Sequence, residues 1–413
     1  MRGVLIGLLL LYFGSSLANS ILIPMDNLQK DHLKAYGITY FILQQDIEVD
    51  WLLNYRGGSF MVDYNPLIES ECKVRGVTYI VISDARATEL LQQIASPSVN
   101  MNVVRMAKAP RIAVYSPKNE FVLDETDAVL LVLEYAEIPH AIIYDQEVLN
   151  GELAKYDWLH LHHEDFTGQF GRSIHRQSSI LESKIQEATA QKLGYSKVSQ
   201  MKLDVAKKIK AFCAGGGYLF AMCSAAETLD IALAAEGVDI IESIFDGDEQ
   251  DANAQNKLDY TKSLAFEDFT LEPAENRRFS DINTGRMYYL RSNDSFFTLF
   301  EFSAKWDVVP CLLTQDHDHK IREFSGQTTA FNKYVVKPES LILAENKELQ
   351  NVRYIYGELG KGHWTYYSGH DPEGVRGRGW GSTDLNLHPN SAGYRLILNN
   401  VLFPSAKKKK QKT

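Results

Sequence analysis

The chain has 413 residues, 45% of them hydrophobic and 23% charged, which excludes intrinsic disorder, collagen-like repeats and a disulfide-dense miniature scaffold. Acidic residues outnumber basic ones by 53 to 43, and five of the positive charges belong to the C-terminal run Lys407-Lys408-Lys409-Lys410-Gln411-Lys412. A body this acidic repels phosphate backbones, so no nucleic-acid partner is expected.

The first twenty residues have the layout of a secretory signal peptide. Arg2 supplies a positive start, Val4 to Phe13 an apolar run, and Gly14-Ser15-Ser16-Leu17-Ala18 the small residues before a cleavage point after Ala18 or Ser20. The apolar run is about half of the ~20 residues that a spanning helix needs, so no transmembrane anchor is expected. Residues 1–20 are therefore set aside, and the mature protein is expected to be periplasmic or secreted. Four cysteines follow: Cys72, Cys213, Cys223 and Cys311. Export with an even count invites disulfides. A strand of five residues separates Cys213 from Cys223 by roughly 17 Å, too far for a bridge. A Cys72–Cys311 pair stays open.

Residues 21–105 read as an N-terminal α/β elaboration. Strands are expected at Ile21–Met25, Val49–Tyr55, Ser59–Val62 and Val77–Ser83, with a helix capped by Asn27 and another over Ala85–Ala95. From 106 to 404 the pattern becomes one large α/β domain. Strands at Arg111–Tyr115, Ala141–Tyr144, Asp157–His162 and Tyr218–Met222 alternate with helices at Glu125–Ala136, Val198–Ala214 and Ala225–Ala235. Such alternation implies a parallel sheet with ligands at the carboxyl ends of its strands. Residues 246–300 are polar and irregular, an expected insertion. Further strands are expected at Asp307–Leu313, Tyr354–Tyr356 and Trp364–Ser368, then a last helix from Ser391 and a basic tail at 405–413. Arg56-Gly57-Gly58 and Arg376-Gly377-Arg378-Gly379-Trp380-Gly381 are glycine-rich but lack phosphate-loop spacing, and are expected to be flexible loops near the pocket.

The stretch Tyr218-Leu219-Phe220-Ala221-Met222-Cys223-Ser224-Ala225-Ala226 runs an apolar strand into a cysteine flanked by small residues, with a helix starting at once. That is the outline of a nucleophile elbow, in which the helix N-terminus lowers the thiol pKa. The same outline fits a buried cysteine at a strand end. Downstream, Gly360-Lys361-Gly362 and a strand lead to His370-Asp371-Pro372-Glu373.

With these two motifs the chain resembles the class I glutamine amidotransferase-like superfamily over roughly residues 108–404. The resemblance implies a flavodoxin-like parallel sheet sandwiched by helices, with Cys223 as nucleophile, His370 as its base and Glu373 orienting the imidazole. The family motif spaces its His and Glu by two residues and here the spacing is three, which leaves Asp371 as an alternative to Glu373. The glycines that shape the family's oxyanion hole after the third strand are replaced by His160-Leu161-His162-His163-Glu164-Asp165.

In that stretch, strand alternation puts His160 and His162 on one face and His163 on the other. His162, His163 and Glu164, with Ser224, are candidate substrate-binding residues. His162, His163, Glu164 and Asp165 are also candidate metal ligands or acid–base groups, and with Asp316-His317-Asp318-His319 they form a possible metal site that spacing alone leaves open. No cofactor is expected, and the expected partner is a small-molecule or envelope-derived ligand.

Further runs are Asp31-His32-Leu33-Lys34-Ala35-Tyr36-Gly37, Trp51 to Phe60, and Tyr394 to Pro404 with the lysine tail. In these the chain is similar to exported bacterial proteins, common in Bacteroidota, that carry the label asparagine synthetase B. Synthetases of that name need an N-terminal cysteine and an ATP-binding Ser-Gly-Gly-x-Asp-Ser loop, and neither occurs here. Two functions are carried forward. One is a Cys-dependent amidohydrolase acting on an envelope amide or peptide. The other is a catalytically silent ligand- or sugar-binding module of the same fold.

Overall fold

The computed structural model describes residues 19–116, 127–172, 177–285, 296–314, 318–374 and 383–406. The leader through Ala18, Asp316, His317, the Arg376–Gly381 loop and the lysine tail lie outside them.

The chain opens with β1 (Asn19–Ile23), α1 (His32–Gln44), β2 (Val49–Leu53), β3 (Ser59–Asp63), α2 (Pro66–Val74), β4 (Ile80–Ser83), α3 (Asp84–Ala95) and β5 (Asn102–Met106). These strands form an antiparallel sheet in the order β4-β1-β3-β2-β5. Asn19 and Ser20 belong to β1, paired with Ser83 and Ile82, so the folded unit starts two residues inside the segment set aside as leader. The cap of α1 is Asp31, whose carboxylate accepts the Lys34 N–H at 2.9 Å. Asn27 does not begin that helix, and Leu28 beside it is exposed.

The large sheet is built from β6 (Ile112–Tyr115), α4 (Ala128–Tyr135), β7 (Ala141–Ile143), α5 (Asp145–Leu149), β8 (Trp158–Leu161), α6 (Gln177–Lys192), α7 (Val198–Gly215), β9 (Tyr218–Met222) and α8 (Cys223–Ala234). Then come α9 (Ser243–Asp246), β10 (Phe296–Leu299), α10 (Pro310–Leu313), β11 (Lys320–Arg322), β12 (Phe331–Asn332), β13 (Leu341–Asn346), β14 (Asn351–Leu359), β15 (Gly362–Tyr367) and α11 (Ala392–Leu402). The strand order is β11-β10-β13-β14-β15-β9-β8-β6-β7, with β12 added on β14. Strands β15, β9, β8, β6 and β7 run parallel, whereas β14, β13, β10 and β11 pair antiparallel. The protein is α/β, and its large sheet is mixed rather than purely parallel.

Asp307–Leu313, read as a strand, instead ends in the helical turn α10, because Pro310 at its first position presets a helical φ and brings no N–H to a ladder. The expected insertion contributes to the core: Phe266, Phe269, Phe279 and Ile282 are buried. Asp230 of α8 anchors it, accepting the backbone N–H groups of Leu264, Ala265 and Phe266 at 2.7–2.9 Å.

The small sheet docks through α1 onto α11. Arg395, fully buried, donates to the carbonyls of Met25 and Gly57, and Tyr36 donates to Asn399. The Arg56-Gly57-Gly58 turn, expected as a flexible loop, is thereby a fixed joint, with Arg56 also paired to Asp26 at 2.6 Å. Buried charge of this kind is tolerated only when it is hydrogen-bonded, and here two backbone carbonyls and the His32 ring accept from Arg395.

Candidate functional site at the carboxyl ends of the parallel strands

The parallel strands end in a common rim. Asp127 caps α4 after β6, His162 and His163 follow β8, Cys223 follows β9, and His370 follows β15. Because β6, β8, β9 and β15 are lateral neighbours, residues far apart in sequence meet at that rim.

Cys223 is the first residue of α8 and adopts φ 52°, a left-handed conformation that a side chain bearing Cβ takes only under constraint. Met222 before it is extended, at φ −121°, so the chain turns sharply at the cysteine. The side chain has no solvent exposure. Its Sγ accepts backbone N–H groups from Gln327 at 3.0 Å and Thr328 at 3.3 Å. Burial pushes the thiol up to about 11, and hydrogen bonds from Thr328, Gln327 and Ser224 pull the other way without cancelling it. The helix N-terminus was expected to lower this pKa. Complete desolvation outweighs it, because the thiolate loses its water.

The loop that reaches Cys223 is pinned to the strand that carries His370. Gly369 donates to Thr328, His370 to Ser325, and Ser325 to Asp371, all at 2.7–3.0 Å between backbone groups. Gly326 sits at the centre with φ 152°, and a Cβ there would lie 2.8 Å from His370 Cδ2 and 2.9 Å from Cys223 Sγ. Thiol and imidazole are thus both against one glycine. Beneath the loop, the buried Glu227 accepts from Thr328 Oγ1 at 2.6 Å and from the Ser280 hydroxyl and N–H. Burial raises the Glu227 carboxyl to about 7.

Four histidines gather beside the cysteine. The rings of His162 and His370 are 4.4 Å apart between centroids, His162 and His163 4.5 Å, and His163 and His370 5.5 Å. Asp127 Oδ1 lies 3.4 Å from His160 Nε2 and 3.5 Å from His162 Nδ1. Burial works to raise the Asp127 pKa, but His160 and the N–H groups of Leu130 and Val129 hold it below the usual carboxylate value.

The remaining predicted site residues are placed elsewhere. Glu373 accepts from Ser391 Oγ at 2.7 Å and pairs with Arg322 at 3.4 Å and His388 at 3.6 Å, so its carboxylate is not on His370. Asp371, the alternative, accepts from Thr383, Tyr394 and the Glu373 N–H. Both acids face α11 and its cap. Ser224 Oγ donates to the His163 carbonyl at 2.8 Å and clamps that loop to α8. The Glu164 carbonyl is bound by Thr228 Oγ1. Its carboxylate, after burial and Asp145, adds to the field that drives the Tyr115 phenol well above its usual range. Asp165 is occupied within its own loop by Thr167 and Gly171.

Among the described residues, Asp318 and His319 share no metal-sized cluster with His162 or His163. His319 instead lines a cleft of about 660 Å³ with Asn54, Asn100, Phe302 and Trp306, between the two sheets. All four cysteines are buried, and no disulfide joins them. Asp127, Glu227 and the Gly326 loop were not singled out from the sequence. Asp127 carries a readable signal as a cap before Ala128–Tyr135; the Gly326 loop carries none, since its role is set by what folds beneath it.

No family model matches the chain, and no curated protein matches it. Among solved structures, two proteins of Salmonella typhimurium described as cytoplasmic proteins overlap 72% of this chain. One is 10% identical over 100% of its own length and the other 14% identical over 99%, each at a TM-score of 0.37. A GH42 beta-galactosidase overlaps 63% of this chain and 27% of its own, at 10% identity and a TM-score of 0.26. Likeness this loose says nothing of activity. No helix among the described residues is long and apolar enough to cross a membrane.

Proposed function

We propose that the chain is an exported, thiol-dependent hydrolase of amide or peptide bonds on a flavodoxin-like, class I glutamine amidotransferase-like scaffold. The scaffold reading is supported by the parallel strands, which in chain order lie 2-1-3-4-5 across the sheet. The export reading is supported by the leader pattern, and cleavage after Ala18 rather than Ser20 leaves β1 whole.

The observation that carries the hydrolase reading is the left-handed Cys223 at the strand-to-helix turn, with backbone N–H groups aimed at its sulfur. In the reaction, His370 takes the thiol proton as Sγ attacks the carbonyl carbon. The oxyanion is received by N–H groups around the sulfur, chiefly those of Ser224, Gln327 and Thr328. Collapse expels the amine, protonated by His370, and water then hydrolyses the thioester. A thiol raised to about 11 makes proton transfer to His370 part of the attack rather than a prior equilibrium. The orienting role passes from Glu373 to His162, which packs on His370 and lies beside Asp127.

The silent ligand- or sugar-binding reading is favoured by one observation: Cys223 is fully covered by the Gly326 loop. The chain's own cysteines separate the two. Under chelator at neutral pH, the mature protein is treated with iodoacetamide and each site followed by peptide mass spectrometry. The hydrolase reading expects Cys223 to be alkylated ~10-fold or more faster than the equally buried Cys213, and His370→Ala to abolish the difference. Equal rates at the two cysteines remove the nucleophile and leave the binding module.

A further inference from the structure

His162, His163 and His370 each offer one ring nitrogen, and these atoms all lie within 4.8 Å of one another. They come from two segments, the end of β8 and the turn after β15, which only the pairing through β9 makes neighbours. His162 is buried and the other two are half-buried, so the cluster opens toward the rim rather than into the core. Behind it, Asp127 Oδ1 stands 3.5 Å from Nδ1 of His162. Asp127 is itself held by the N–H groups of Val129 and Leu130. A carboxylate placed behind a histidine in this way is the usual outer support of a metal-bound imidazole, fixing its tautomer and orientation.

We propose that His162, His163 and His370 bind a divalent transition ion of the Zn²⁺ or Co²⁺ type, with Asp127 as the outer partner of His162. Three nitrogen donors and no carboxylate in the inner set select such an ion over Mg²⁺ or Ca²⁺, which require oxygen. For Zn–N bonds of ~2.0–2.1 Å the three nitrogens must draw closer than the 4.8 Å that bounds them here. Three ligands leave a fourth position open. Of the other groupings, Asp127, His160 and His162 are all buried and share His162 and Asp127 with this site, and Asp239, Asp246 and Asp248 are already bridged by Lys197, whose Nζ lies 2.7, 3.1 and 2.7 Å from them. The inference does not rest on the hydrolase reading. It sets a limit on it, since an ion on His370 removes the base from the thiol.

The test is titration of the untagged, metal-free mature chain with Co²⁺ and Zn²⁺, followed by calorimetry and by the visible absorption of bound Co²⁺. One equivalent is expected to bind. The half-buried His163→Gln, which leaves the core untouched, and His162→Gln are expected to weaken binding ~100-fold or more, and Asp127→Asn, which keeps its capping ability, by ~10–100-fold. Cys223→Ser is expected to keep its ion, which separates this site from the thiol chemistry. Bound ion is also expected to slow alkylation of Cys223 in the wild type. Absence of binding, or binding that survives both histidine substitutions, overturns the site. Retention in the histidine variants together with loss in Cys223→Ser places the ion on sulfur and overturns it equally.

Discussion

The two ends of strand β9 and its parallel neighbours are closed in opposite ways. At the amino end, Cys213 is buried, its thiol pushed up to about 12 by desolvation, and it donates to the His363 carbonyl. Backbone meets backbone there: a Cβ on Gly362 would lie 2.0 Å from the Cys213 carbonyl oxygen and 2.3 Å from that of Gly217. At the carboxyl end, Cys223 is equally buried, yet what covers it is a glycine-centred loop, imidazoles and single hydrogen bonds. Contacts of the first kind have no substitute, and contacts of the second kind can be exchanged for those of a ligand. The amino end holds the sheet together, and the carboxyl end is where the proposed chemistry is placed.

The largest effect expected from this contrast is at Gly362. Gly362→Ala drives a carbon into two carbonyl oxygens and is expected to cost about 3 kcal/mol or more, read as a lowered urea midpoint. A loss below about 1 kcal/mol would show that the amino end gives way as readily as the other.

At the carboxyl end the expected signature is pH dependence. The Glu227 carboxyl is near 7 when folded against 4.5 ordinarily, so between those values the folded chain binds more protons than the unfolded one. Its contribution is fully present below pH 4.5 and is lost as pH rises through 7, by about 3 kcal/mol in all. Glu227→Gln is expected to flatten the stability profile across that window relative to wild type, as measured by denaturation at pH 4.5, 6 and 8. An unchanged difference between the two ends of the window would mean that Glu227 is solvated.

The smallest effect is expected at Glu373. Its partners Arg322 and His388 are partly exposed, so Glu373→Gln is expected to cost under ~1 kcal/mol. The same substitution is expected to leave the alkylation rate of Cys223 unchanged. Slowing comparable to that of His370→Ala would restore Glu373 as the group that orients the imidazole.

Much of the scaffold was legible because it depends on local pattern. The apolar run Tyr218–Met222, the amphipathic α7 and the Ser391 cap of α11 announce themselves by period and by end residues. Strands β10, β11 and β13 escaped notice, and of β14 only Tyr354–Tyr356 was read. Leu341–Asn346 carries a register irregularity against β14, and that blurs its alternation. The α10 turn was misassigned because a short apolar run is ambiguous until Pro310 is weighed.

The candidate site divides in the same way. A strand-to-helix boundary was enough to single out Cys223, and residue type at the end of a strand to single out His162 and His163, because those are local features, whereas His370 was picked out by a family resemblance. What each residue faces was not local. Glu373 faces Ser391, which caps α11 eighteen positions further on. Asp127 meets His162 only because β6 and β8 are adjacent, and Gly326 meets Cys223 only because its loop pairs with the turn after β15. The sequence by itself determined which groups able to do chemistry end up on the rim, since alternation and helix boundaries are written in neighbouring residues. Tertiary structure alone decided their partners and the burial that holds Cys223 as a protonated thiol. Strand order and desolvation are properties of segments that meet across tens to hundreds of residues.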